Sequence, residues 1–210
     1  MYNPPHFAET RPEILLPILR ERGFGTLVAC GSGGLDAAQV PMEIDPSGRI
    51  FRCHVARPNP LWKAIAESPS VLAIFLGVDH YISPNWYPSK TEHGSVVPTW
   101  SYEAIHVHGN ARIFEEGQRL LAHLEALTDA HEQPFAKAWK VGDAPADFIE
   151  RQMRGIVGIE IHVERIEGKF KLGQNRSKDD RQGAIDQLDA IASPESAALA
   201  AAMRKPRNAK

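Results

Sequence analysis

The sequence predicts a mainly β protein with peripheral α-helices, and three observations lead there. Strand-like runs at 25–30, 37–44 and 50–55 follow one another with only turns between them. That is a meander, the usual opening of an antiparallel barrel. The run 71–78 is apolar on both faces, as a central strand would be. The run 156–166 alternates, with Val157, Ile159, Ile161 and Val163 on one side and Glu160, His162 and Glu164 on the other.

Each element has its own signals. A helix is expected over 11–22, where Ile14, Leu15, Ile18 and Leu19 make one apolar stripe. Thr10 can cap it, Pro12 suits its first turn and Gly23 follows its end, while Pro17 interrupts the pattern. Glycines 31, 33 and 34 turn the first strand into the second, and Asp45-Pro46-Ser47-Gly48 turns the second into the third. Pro41 places the second strand at an edge or a bulge. Asn59-Pro60 opens a short helix that Ser68-Pro69 ends. Helices are also expected at 115–128, through Leu120, Leu121, Leu124 and Leu127, at 145–154, and at 177–192. A strand at 104–114 completes the set. The tail 193–210 is alanine-rich and then basic, ending MRKPRNAK, and is expected to be mobile.

At 210 residues, 43% of them hydrophobic, the chain fits one domain over 1–192 with that tail. A net charge of −2 lacks the strongly basic footprint of a general nucleic-acid binder. Cys30 and Cys53 form no CxxC pair and suggest buried thiols in a reducing compartment. There is no charged-then-apolar leader and no apolar run near the ~20 residues of a membrane span. A soluble, cytoplasmic protein is expected.

One tract stands apart: ISPNWYPSKTEHGSVVPTWSYEAIHVHG, from 82 to 109. It sets Trp86, Tyr87, Trp100 and Tyr102 among hydroxyls, Lys90 and three histidines. Two readings suit it: turns and an edge strand whose aromatics close the core, or a seat for a planar ligand that is aromatic and anionic. ISPNWY and VPTWSY, with HVARPNP at 54–60, GKFKLGQNRSKDDR at 168–181 and the opening MYNPPHF, resemble the PaiB-like FMN-binding family. The match runs in order to about Leu188. The sequence departs from the family at Gly173, where serine is expected, and at Ser101, where asparagine is common.

The resemblance implies an FMN-binding split β-barrel, a six-stranded antiparallel Greek-key-like barrel, with the flavin at a homodimer interface. The residues fit such a ligand at three places. His54-Val55-Ala56-Arg57-Pro58-Asn59-Pro60 joins a strand to a helix start, where unpaired N–H groups and the helix dipole favour a phosphate. Arg57 and Lys63 would add charge, and the alternative is a plain corner that Asn59 caps. Thr99 and Trp100 suit the edge and wall of an isoalloxazine ring, with Trp86 beside them. Within 168–181, Lys169 or Lys171 is expected to face the flavin, and Gln174-Asn175 offer amides to its polar edge. A cation there would raise the flavin potential. His106 and His108 share a strand face at a spacing metals can use, but no carboxylate or thiol cluster accompanies them, so no metal is expected.

Two function classes follow. The first is a flavoprotein exchanging electrons with a small molecule of unknown identity, an FMN-dependent oxidoreductase without a regulatory role. The second is the negative transcriptional regulator that the family label implies, acting on DNA directly or indirectly. No paired helices suit a helix-turn-helix, and the basic tail gives at most salt-sensitive attraction to DNA.

Overall fold

A computed structural model describes residues 1–205. Among them lie eight strands, β1 Ala8–Glu9, β2 Phe24–Gly31, β3 Gly34–Pro41, β4 Glu43–Ile44, β5 Ile50–Ala56, β6 Ser70–Ile82, β7 Thr99–Phe114 and β8 Ile156–Lys171. The helices are α1 Pro12–Arg22, α2 Leu61–Glu67, α3 Ser89–His93, α4 Gly117–Glu132, α5 Ala146–Arg154, α6 Lys178–Ile191 and α7 Pro194–Arg204. The strands hydrogen-bond in the order β3-β2-β6-β7-β8-β5-β4, with β1 added to β8. The sheet thus has eight strands, two of them only two residues long, and six principal ones. Its two ends, β3 and β4, are not paired with each other, so the ladder is open. Pro41 ends the edge strand β3, where a missing N–H costs no ladder bond.

The chain divides into two compact units, one of Met1–Leu15, Leu76–Ile105 and the segment from Glu167, the other of Leu16–Phe75 and His106–Ile166. The larger holds the meander. In it β2 pairs antiparallel with β3 and with β6, and β5 pairs with β8 so that Arg52 lies opposite Glu160 and His54 opposite Gly158. Its core is the inward row of these strands: Leu27, Phe51, Cys53, Ala73, Phe75, Val107, Val157, Ile159 and Ile161 are all buried. Phe51 and Phe75 meet edge to face, 6.4 Å between ring centres. Each such ring contributes on the order of 2–3 kcal/mol by leaving water. The thiols are free; Cys53 is buried and pushed up to about 12, whereas Cys30 is exposed, against the expectation that both are buried.

In the smaller unit Ala8 of β1 pairs with Lys169 of β8. Phe7, Leu15, Ile82, Phe170, Leu172, Leu188, Leu199 and Met203 are buried there. The expected mobile tail is here a helix over most of its length. Ser193 caps α7 by accepting from the Ser196 N–H at 3.1 Å, Pro194 takes its first turn, and Leu199, Ala200 and Met203 are buried. The apolar spacing within an alanine-rich run gives α7 a packing face, which a composition reading overlooks. The basic end of the tail, from residue 206, lies outside the described residues.

Candidate functional site

Most of the residues singled out from the sequence fall in the smaller unit. Strand β7 begins at Thr99, ahead of the expected 104, and β8 ends at Lys171, past the expected 166, because the strands continue into polar sequence. Lys171 Nζ donates to Thr99 Oγ1 at 2.5 Å. After Lys171 the chain turns through Leu172–Ser177. Gly173 adopts φ +77°, a left-handed conformation that glycine takes without strain, so the departure from serine follows the turn. Gln174 holds that turn: its carbonyl accepts from Leu172 N–H at 2.7 Å and its amide donates to the Phe170 carbonyl at 2.6 Å. Ser177 Oγ then accepts from Asp180 N–H at 3.1 Å and starts α6.

These elements enclose a small cavity of about 40 Å³, lined by Thr99, Ser101, Lys171, Asn175, Arg176 and Arg181 together with the Tyr87 ring. Three of its side chains are cationic. The Arg176 guanidinium lies 5.0 Å from the centre of the Tyr87 ring. Arg181 Nε is buried and has no hydrogen-bond partner among the described residues. Lys171 is held below the usual lysine range, first by burial and then by the charges of Lys169 and Arg176. Asp180, the nearest acid in sequence, is itself engaged, accepting from Ser89 N–H at 3.1 Å and Ser89 Oγ at 2.8 Å. Burial would raise its pKa, but those bonds, the Ser177 contact and the Arg176 charge outweigh burial and bring it down.

The structure therefore brings together Thr99, Lys171 and Asn175, with Gln174 beside them in the turn. Lys169 takes another course, donating to the Tyr2 carbonyl at 2.9 Å and lying over the Tyr2 and Tyr102 rings. Trp100 is 54% exposed and meets Tyr81 edge to face. Trp86 sits in a short 3-10 turn near His80, 6.3 Å between ring centres. Sequence reasoning missed Arg176, Arg181, Ser101 and Tyr87. Both arginines stand in the charged run 168–181, and the signal for them was seven positive and negative charges crowded onto a strand end, a turn and a helix start.

The other four predicted residues lie in the larger unit, and each has an internal partner or a plain structural task. Arg57 Nη1 pairs with Glu115 at 2.5 Å, while Nε and Nη2 donate to the carbonyls of Arg154 and Ile156. Asn59 Oδ1 accepts from Leu61 N–H at 2.9 Å, which caps α2. Lys63 is exposed, 5.6 Å from the Trp62 ring centre. His54 Nδ1 lies 3.1 Å from His123 Nε2, and His123 Nδ1 lies 3.1 Å from Glu43 Oε2. Burial first, and the His123 charge second, lower His54 to about 4. Glu43 also pairs with Arg52 at 3.0 Å, and Arg52 Nε donates to Glu160 at 2.9 Å. His106 and His108 lie 6.3 Å apart by ring centre. Among the described residues no group of three potential metal ligands occurs, and no helix is long and apolar enough to cross a membrane.

An antiparallel sheet with peripheral helices, carrying an exposed tryptophan and a lysine–threonine contact in the lining of a cationic cavity, has the fold of a split-barrel flavoprotein. The chain belongs to the family described as "Putative FMN-binding domain", whose model matches residues 1–165. FMN is accordingly its cofactor, and the Thr99 hydroxyl and Lys171 ammonium, 2.5 Å apart, fit the polar edge of a flavin ring. The chain is 30% identical to protease synthase and sporulation protein PAI 2 of Bacillus subtilis, over 97% of this chain and 96% of that one. Its fold is shared with the protein Rv2991 of Mycobacterium tuberculosis, at a TM-score of 0.58 and 13% identity, covering 81% of this chain and 91% of that one. It is also shared with an FAD and heme binding protein of Mycobacterium smegmatis, at a TM-score of 0.57 and 15% identity, covering 84% and 79%.

Proposed function

We propose that this protein is a cytoplasmic homodimer that holds FMN with Thr99, Trp100, Lys171 and Asn175 about the flavin ring and couples its redox state to negative regulation of transcription. The single observation behind the ring contacts is the Lys171–Thr99 hydrogen bond, 2.5 Å, at the rim of a cavity rich in cations and poor in anions. Trp86, Lys169, Gln174 and the corner residues His54, Arg57, Asn59 and Lys63 remain part of the proposed set, the last four for the phosphate. Of these four, Lys63 carries a charge with no ion pair among the described residues. Bound FMN supplies the redox chemistry. The chain's own residues supply orientation: a flat wall from Trp100, a hydroxyl from Thr99 and a fixed positive charge from Lys171.

Pairing of two copies is supported by apolar surface in the smaller unit, where Leu76, Val97 and Trp100 are 65%, 63% and 54% exposed. Surface of that kind is usually covered. The single-domain reading over 1–192 goes with it. The regulatory role is supported by the Bacillus relative, whose name ties it to protease synthesis and sporulation. With a net charge of −2, regulation through a small molecule or protein partner fits better than direct DNA reading. The test is to incubate purified protein with FMN, desalt it, and measure absorbance together with light scattering. About one flavin per chain on a dimer is expected. Colourless protein would overturn the cofactor contacts, and a flavin-loaded monomer would overturn the dimer. Specific DNA retention in a mobility-shift assay at moderate salt would overturn the indirect route.

A further inference from the structure

The cavity of the smaller unit is too small for a flavin and too positive to be a mere packing gap. A volume of about 40 Å³ admits a group of a few heavy atoms and no ring system. Lys171, Arg176 and Arg181 all line it, and no carboxylate is among its lining residues. Placing three half-buried cations around one cavity with no acid in its lining is unfavourable, and an anion there would relieve it. Asp180 offsets part of this charge, since its carboxylate attracts the Arg176 guanidinium, but it stands outside the lining, where Ser89 N–H and Oγ engage its two oxygens.

The donors are also arranged. Arg176 is steadied by its position over Tyr87, 5.0 Å from the ring centre. Arg181 Nε is a buried N–H with no acceptor among the described residues. A buried donor left unpaired costs about 1–3 kcal/mol, so such donors ordinarily have partners. Ser101, buried, adds a hydroxyl to the lining, and Asn175 adds an amide. A carboxylate or phosphate would accept from several of these groups at once, with charge-assisted bonds from the arginines.

We propose that this cavity is an oxyanion subsite that takes the carboxylate or phosphate of a small acidic molecule, separate from the phosphate of FMN. It rests on the FMN reading only in making that molecule the flavin's partner; anion binding itself stands on the cavity. The subsite would choose among electron partners by requiring an acidic group at a fixed place. A neutral molecule of the same shape would leave Arg181 Nε unpaired and bind more weakly.

The experiment is calorimetric titration of inorganic phosphate and of acetate into FMN-loaded and FMN-free protein at low salt. One anion per chain in both forms is expected, with affinity at least tenfold weaker in Arg181→Gln. Arg176→Gln serves as the second variant, and a thermal melt of each establishes that the fold persists. Phosphate bound by the FMN-free form alone, and displaced one for one by FMN but not by riboflavin, would mean that the cavity holds the cofactor's own phosphate. That result, no anion binding in either form, or binding unchanged in both variants would overturn the proposal. Protein that binds phosphate but never FMN would keep the subsite and remove only the flavin reading.

Discussion

Two polar clusters in this molecule contain similar residues and have opposite electrostatics. In the larger unit His54, His123, Glu43, Arg52, Glu160 and Arg119 form a chain in which, from Glu43 to Arg119, negative and positive groups alternate. Arg52 lies between Glu43 and Glu160 at 3.0 and 2.9 Å, and Arg119 reaches Glu160 at 3.3 Å. In the smaller unit Lys171, Arg176 and Arg181 share a cavity without an acid in its lining. The first cluster is internally satisfied, so it contributes to the fold, and of its members only His54 belongs to the corner proposed for the FMN phosphate. The second is complete only when something negative arrives. Charge balance, more than residue type, separates a structural network from a site.

The largest expected effect breaks the balanced cluster. Arg52→Ala would leave two mostly buried carboxylates without their shared cation and should cost about 3 kcal/mol, read as a lower urea midpoint. An unchanged midpoint would show that the network is ornamental.

Next in size is Gly183→Ala in α6, where a Cβ would stand 2.3 Å from the Trp86 carbonyl. That neighbour is backbone and cannot rotate away, so about 2 kcal/mol of overpacking is expected together with weaker ligand binding, measured by melting and by flavin titration.

The pH response belongs to the balanced cluster and sharpens the contrast. His54 is held at about 4 when folded, by burial and then by His123, and titrates near 6.5 when unfolded. Between those values the unfolded chain binds the extra proton. Stability is therefore full above about pH 6.5 and falls as the pH drops toward 4. Glu43 and Glu160 extend the loss to lower pH. Burial alone would raise both, but His123 and Arg52 for Glu43, and Arg52 for Glu160, bring them below the ordinary glutamate value. Urea midpoints from pH 7.5 to 4.5 check this, and His54→Gln should flatten the upper part of the curve. The smallest effect is Gly173→Ser, expected to cost about 1 kcal/mol because φ is +77° there.

The sequence showed the balanced region's strands and not its network. Val157, Ile159 and Ile161 alternate with Glu160 and His162, which reveals a two-faced strand, and these apolar residues are indeed buried. His54 and His123 are 69 residues apart, so no local pattern could join them. The site was legible where chemistry is unusual for its surroundings. Thr99 stood in a polar aromatic tract and Lys171 in a charged run, and the structure brings the two into contact. Arg181 looked like one more solvated helix charge, and only burial of its Nε separates it from its neighbours. The tail was misread because alanine and serine suggested mobility, although Ser193-Pro194 is a sound helix start.

The measurement that bears most directly on this contrast is a paired one: FMN affinity by fluorescence quenching and thermal midpoint, on Lys171→Ala and Arg52→Ala. The account predicts that Lys171→Ala weakens FMN binding by about tenfold while its melting temperature holds or rises, since a crowded charge has been removed. Arg52→Ala should melt several degrees lower and, while folded, bind FMN as before. If Lys171→Ala binds FMN normally and Arg52→Ala does not, the assignment of the two clusters is reversed.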